Sequence, residues 1–137
     1  MITIDFYICS ELQIRACQGW ETAADDLPCT GICIPNQSAL TSLAGLLTNK
    51  SLYPALPLAD VPHPIHRVNA NVVNAINDIS HDDLLDISVQ WATLSPWSEI
   101  EINPFDLAGF LVHLKSLWHE SDEPQKAIFL WFGEELI

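Results

Sequence analysis

Residues 103–132 read NPFDLAGFLVHLKSLWHESDEPQKAIFLWF. Asn103 suits a helix N-cap, because its side-chain oxygen can accept a hydrogen bond from a free first-turn amide. Pro104 follows at the first helical position, where a missing N–H costs nothing. Asp106 places a negative charge near the positive end of the helix dipole. Leu107, Phe110, Leu111, Leu114, Leu117 and Trp118 then recur on one helical face, with Asp106, Gly109, His113, Ser116 and Glu120 opposite. Phe105, Ala108 and Val112 form a second apolar strip beside the main one. The helix should stop near Ser121, ahead of Pro124. Ala127 to Phe132 is a continuous apolar run, short and aromatic-rich, as in a strand buried on both faces. A helix that returns its chain to such a strand implies helices packed on a sheet.

The flanking sequence agrees with that arrangement. Ile2, Ile4, Phe6 and Ile8 alternate with Thr3, Asp5, Tyr7 and Cys9, the pattern of a strand with one buried face. Ser10 and Gln13 fit a capping box for a helix from Glu11 to about Cys17, although Leu12, Ile14 and Ala16 also alternate as a returning strand would. Residues 18–28 read as a loop, and 31–34 as a short β piece. Ser38 to Thr48 predicts a helix with Leu40, Leu43, Ala44 and Leu47 inward. Four prolines between Ser51 and Pro64 exclude a regular helix or central strand there. Leu52, Tyr53, Leu56, Leu58 and Val61 would anchor that connection, so no domain boundary falls in it. Val68 to Ile79 predicts a helix. A second runs from Ser80 to about Leu94, burying Leu84, Leu85, Ile87, Trp91 and Ala92. Residues 98–103 alternate as a short edge strand would. The expectation is one α+β domain over residues 1–137, with three to five helices packed on a small sheet that includes the N-terminal and C-terminal strands.

Composition limits function. At 137 residues the chain can bury a real core. Charged residues are 17%, below the usual share of about 25%, while hydrophobic residues reach 49%. An apolar chain of this kind can leave apolar surface for a homo-oligomer or a partner to cover. Asp and Glu number 18 against 5 Lys and Arg, a formal net charge of -13. That balance argues against nucleic-acid binding, which needs cations to replace counterions. It permits a basic protein partner, whose approach the field would accelerate; the alternative is acidity for solubility alone. No run is long enough for a membrane span, and Met1 to Asp5 lacks the basic start of a signal peptide. The expected location is cytoplasmic, with reduced thiols.

Candidate sites are few. Cys29 and Cys33, with His63 and His66 from the proline-rich connection, form a set that zinc could take. The spacing lacks paired C-x-x-C units, and free cysteines also serve as small buried hydrophobes or as a redox pair. His63, His66 and Arg67 gather two imidazoles and one of two arginines, a group that could hold an anion or carboxylate; the alternative is that Arg67 neutralises acidic surface. Asp82, Asp83 and Asp86 begin a helix and give it an acidic outer face, either a docking surface or a solvated one. Trp20 and Trp97 fall in predicted loops and are candidate interface residues. His113 is two turns, about 11 Å, from Asp106 and Glu120, which excludes a dyad within that helix. Phosphate-cradling glycine loops, nucleophile elbows and H-E-x-x-H are absent, so no catalytic residue and no cofactor is assigned. The expected function is a non-enzymatic acidic protein-binding module, such as an inhibitor or immunity-type protein for a basic partner. The alternatives are a small Cys/His metal-binding protein and a homo-oligomeric scaffold.

Overall fold

The computed structural model describes residues 1–135. Strand β1 (Ile2–Cys9) leads into helix α1 (Glu11–Ala16), helix α2 (Trp20–Asp26) and strand β2 (Cys29–Ile34). Helix α3 (Ser38–Thr48), strands β3 (Ala55–Pro57) and β4 (Ile65–Val68) and helices α4 (Ala70–Asp78) and α5 (His81–Thr93) follow. A 3-10 turn (Trp97–Glu99), helix α6 (Pro104–Glu120) and strand β5 (Ala127–Glu135) complete the α+β fold. No helix among the described residues is long and apolar enough to cross a membrane.

The five strands form one antiparallel sheet in the order β2-β1-β5-β4-β3. β5 lies at its centre, between β1 and β4. Ala127 through Trp131 are each no more than 7% exposed, so both faces of β5 are covered, as its unbroken apolar run requires. β3 ends in Pro57, which an edge strand tolerates because its outward N–H has no ladder partner to lose.

The larger core lies on one face. Ile4, Phe6, Ile8, Ile128, Leu130 and Val68 meet the inner sides of α3, α4, α5 and α6. Phe6 and Phe110 make an edge contact at 4.9 Å, and Trp91 Nε1 donates to the Ala39 carbonyl at 2.9 Å, tying α5 to α3. Helix α6 starts as its sequence dictates: Asn103 Oδ1 accepts from the Phe105 N–H at 3.0 Å, and Pro104 occupies the first turn. Lys115 of α6 donates to the Ile79 carbonyl and so holds the end of α4. The second cluster, on the opposite face, is smaller. Tyr7, Cys9, Ile65, Ala127, Phe129 and Trp131 meet Ile14 of α1 and Ala23 of α2.

Several expectations are corrected. Residues 18–28 are not a loop: they contain α2, a two-turn helix docked by Ala23. That raises the α-helices among the described residues to six. Residues 11–16 are helical, and the Ser10–Gln13 capping box is complete, with the two reciprocal bonds at 3.2 and 2.9 Å. Val68 belongs to β4 rather than to α4, and residues 98–103 are a 3-10 turn and coil rather than a strand. Leu85 is exposed on α5, although α5 does bury Leu84 and Trp91. Phe105 of the second apolar strip on α6 is 70% exposed, whereas Ala108 is buried.

Candidate functional site

Helices α1 and α2 are short, so they cover only part of their face of the sheet. The end carrying Thr3, Asp5 and Gly133 stays open. Across it the register places Gly31, Asp5, Trp131 and Ile65 in one row of β2, β1, β5 and β4. The neighbouring row carries Cys29, Tyr7, Phe129 and Arg67. An open concavity of about 610 Å³ lies over this end, lined by Thr3, Asp5, Trp20, Pro64, Trp131, Phe132 and Gly133. Its volume falls in the range of small-ligand clefts, roughly 300–1,000 Å³.

The carboxylate has room at mid-strand for a local reason. A Cβ at position 31 would lie 2.8 Å from Asp5 Oδ1, so the carboxylate leans over a neighbour that has no side chain. Gly133 likewise makes room for Thr3 on the next strand. Both glycines have φ outside the left-handed region, so close approach, not turn geometry, explains them. Trp20 overhangs the opening from the first turn of α2 and is 54% exposed. Trp131 packs edge-on against Tyr7 at 6.3 Å, and the His63 ring lies on it at 4.9 Å with a 31° tilt.

Among the described residues no basic side chain lines this concavity. Burial therefore raises the Asp5 pKa, opposed in part by a hydrogen bond from Tyr7. The Tyr7 hydroxyl is pushed upward, first by burial and then by the Asp5 charge. It also donates weakly to the Trp20 carbonyl at 3.4 Å. Burial drives Cys9 up to about 12 and raises Cys17 and Cys29, the latter also through Asp5. These three thiols are held protonated rather than activated as nucleophiles. The opening presents the Asp5 carboxyl beside the exposed indole of Trp20, a pairing that suits a cation.

The residues singled out in the sequence are scattered. Cys29 and Cys33 lie four residues apart on β2, about 13 Å along a strand, and point to the same face. His63 packs on Trp131 and His66 on Phe132 at 4.8 Å, consecutive strand residues that face opposite sides of the sheet. The proposed Cys29, Cys33, His63, His66 metal set is therefore overturned: two ligands are too far apart and the other two are separated by the sheet. Among the described residues no three His, Cys, Asp or Glu side chains come together to hold a metal.

The same separation breaks the His63, His66, Arg67 anion site. Burial lowers the His66 pKa, partly offset by the Pro64 carbonyl. Arg67 lies 5.9 Å over the Phe129 ring and 3.7 Å from Glu11. Arg15 binds the same Glu11 at 3.0 Å, so both arginines of the chain serve one carboxylate. Asp82, Asp83 and Asp86 are exposed on α5, on the far side of the sheet from Asp5. Trp97 is removed from the interface candidates. It is 1% exposed and packs edge-on against Trp91 at 5.6 Å. His113 is exposed and contacts Thr30 Oγ1 at 3.0 Å through Nδ1.

Asp5, Tyr7, Trp131 and the two glycines were not singled out as a site in the sequence. Their signal was present, since an Asp at mid-strand and glycines within two other strands oppose strand propensity. Comparison with protein-family models, with curated proteins and with solved structures finds no match for this chain.

Proposed function

We propose that the chain is an acidic binding module that docks a basic protein partner on the open end of its sheet. One observation carries this: a concavity of about 610 Å³ is lined by the Asp5 carboxylate and the exposed Trp20, with no basic side chain among the described residues that border it. The net charge of -13 supports it, because a cationic partner would be drawn toward the molecule from any direction. Asp82, Asp83 and Asp86 contribute to that field from the opposite side of the sheet. An inhibitor or immunity-type role in the cytoplasm, with the four cysteines as free thiols, is the specific form of the proposal.

The test is affinity capture at low and high salt, followed by reconstitution with the purified candidate. A basic protein should be retained, and its association rate should fall by about tenfold or more as ionic strength rises from roughly 0.05 to 0.5 M. Failure to retain any basic protein at low salt overturns the proposal. Solution mass measured in parallel tests the competing homo-oligomer, for which exposed Leu85, Val89 and Phe105 would supply the apolar contact.

A further inference from the structure

We propose that an extended segment of the partner adds to strand β2 as an antiparallel sixth strand of the sheet. This rests on the chain being a partner-binding module and names the backbone surface that module would use.

The register fixes which groups of β2 are free. The Ile8 N–H donates to the Pro28 carbonyl at 3.0 Å. The same alternation turns the N–H and C=O groups of Thr30, Ile32 and Ile34 toward their partners Phe6, Ile4 and Ile2. Those of Cys29, Gly31 and Cys33 then point out of the sheet. β2 is an end strand, and among the described residues no hydrogen bond reaches these outward backbone groups. Gly31 and Cys33 are exposed and Cys29 is half-buried.

Natural sheets blunt such an edge, and the two edges of this one differ. β3, at the far end, has three residues, finishes in Pro57 and follows Pro54. β2 runs for six residues, Cys-Thr-Gly-Ile-Cys-Ile, with no proline, no charge and no bulge against β1. Helix α6 reaches it through His113 and Thr30. Thr30 turns its backbone to β1, so that contact covers a face of β2 and leaves the edge open.

Charge selects the occupant. Antiparallel pairing of β2 with a second copy engages all the outward residues only when centred on Gly31. The Asp5 carboxylate leans over Gly31, with Oδ1 2.8 Å from where a Cβ would stand. That register would set two carboxylates together, between chains of net charge -13 each. A partner segment with basic side chains on the Asp5 face meets no such repulsion. On the other face it would continue the row of Ile32, which packs against the larger core, so apolar side chains suit it there. In recognition of this kind the main chain supplies affinity and the alternate side chains supply specificity.

The probe is an acetylated, amidated hexapeptide of alternating lysine and valine, titrated into the full chain and followed through backbone amide resonances and amide exchange. In the free chain the amides of Cys29, Gly31 and Cys33 should exchange fast and those of Thr30 and Ile32 slowly. The hexapeptide should shift and protect the first set saturably, with a Kd on the order of 0.1–1 mM. An isomer N-methylated at its lysines, whose N–H groups would face β2, should bind at least about tenfold more weakly; one N-methylated at its valines should bind like the parent. Cys33→Pro removes an outward N–H and none that bonds β1, so the spectrum should stay dispersed while the hexapeptide binds about tenfold more weakly. Cys33→Ser, which keeps that N–H, should bind as the native chain does. Undiminished binding of the lysine-methylated isomer, or no saturable shift at the outward amides, overturns the proposal. If strand addition is wrong but the module is right, a captured basic partner will bind Cys33→Pro as tightly as the native chain. If the module is wrong but the edge is right, the hexapeptide will protect the outward amides although no basic protein is retained.

Discussion

Asp5 is held at a cost to the fold. Its pKa is raised from an ordinary 3.8 because burial disfavours the charged form. The folded state therefore takes up the Asp5 proton at higher pH than the unfolded state. This contribution to stability is fully present below the ordinary carboxylate value and is lost as pH rises through the folded value. At pH 7 the charge cost is in place, so Asp5→Asn should raise the thermal midpoint there and flatten the part of the stability profile just above pH 3.8. Thermal melts of both chains from pH 3 to 8 check this; a lower midpoint for Asp5→Asn at pH 7 would show that the charge stabilises the isolated fold. A variant that is more stable yet binds cations less well is the mark of a functional rather than structural carboxylate. Gly133 is a different case. A Cβ there would collide with Thr3 Oγ1 and lie 3.1 Å from the Thr3 carbonyl oxygen, which belongs to the backbone and cannot step aside. Gly133→Ala should cost about 1–3 kcal/mol by denaturant unfolding. These residues were visible in the sequence as local misfits. What made them a site was the register that sets Gly31 and Trp131 on either side of Asp5, and register is a property of pairings between strands far apart in the chain.

At the scale of elements, the legible parts were those with a local cause. Helix α6 was readable because its cap, its proline and its apolar stripe lie within one segment. Asn103→Ala should cost about 1 kcal/mol, since the Phe105 amide would lose its acceptor, and equilibrium unfolding measures this directly. Helix α2 was not readable: seven residues with one buried side chain carry too little periodicity to show a helix, and only packing of Ala23 on the sheet reveals it. Strand β4 was hidden by Pro62 and Pro64, which mark a turn and conceal the four-residue strand that begins just beyond them. Helix α5 carries a correctable defect. Asp82 and Asp86 repel at i,i+4, and Asp86 lies past the first turn, where the helix dipole no longer helps it. Asp86→Lys replaces that repulsion with a pair in the favourable orientation, for a gain of about 0.5 kcal/mol. Asp82→Lys should gain less, because it also removes a first-turn carboxylate. Paired unfolding curves of the two variants decide whether the difference has this sign.

For the whole molecule, the charge imbalance sets a response that no single pair controls. Eighteen acidic residues face five basic ones, and among the described residues both side-chain ion pairs fall on the same Glu11. Most carboxylates therefore meet solvent and one another rather than a cation. Compacting a chain of net charge -13 brings those charges closer, so self-repulsion opposes folding at neutral pH. Salt shortens the range of that repulsion: the Debye length falls from about 30 Å at 0.01 M to about 3 Å at 1 M, well below the size of the domain. Added sodium chloride should raise the thermal midpoint at pH 7, with most of the rise complete by about 0.3 M. The same titration at pH 4.3, near the sequence pI, should produce little change, because the net charge that salt screens has largely gone. Binding of a basic partner must respond in the opposite direction, since the field that strains the free molecule is the one that draws the partner in. Calorimetry across a salt series, with and without a captured basic partner, separates the two. A midpoint for the free chain that does not move with salt at pH 7 would mean that its carboxylates are far enough apart, or well enough hydrated, to fold without penalty, and that its acidity exerts little field on anything approaching it.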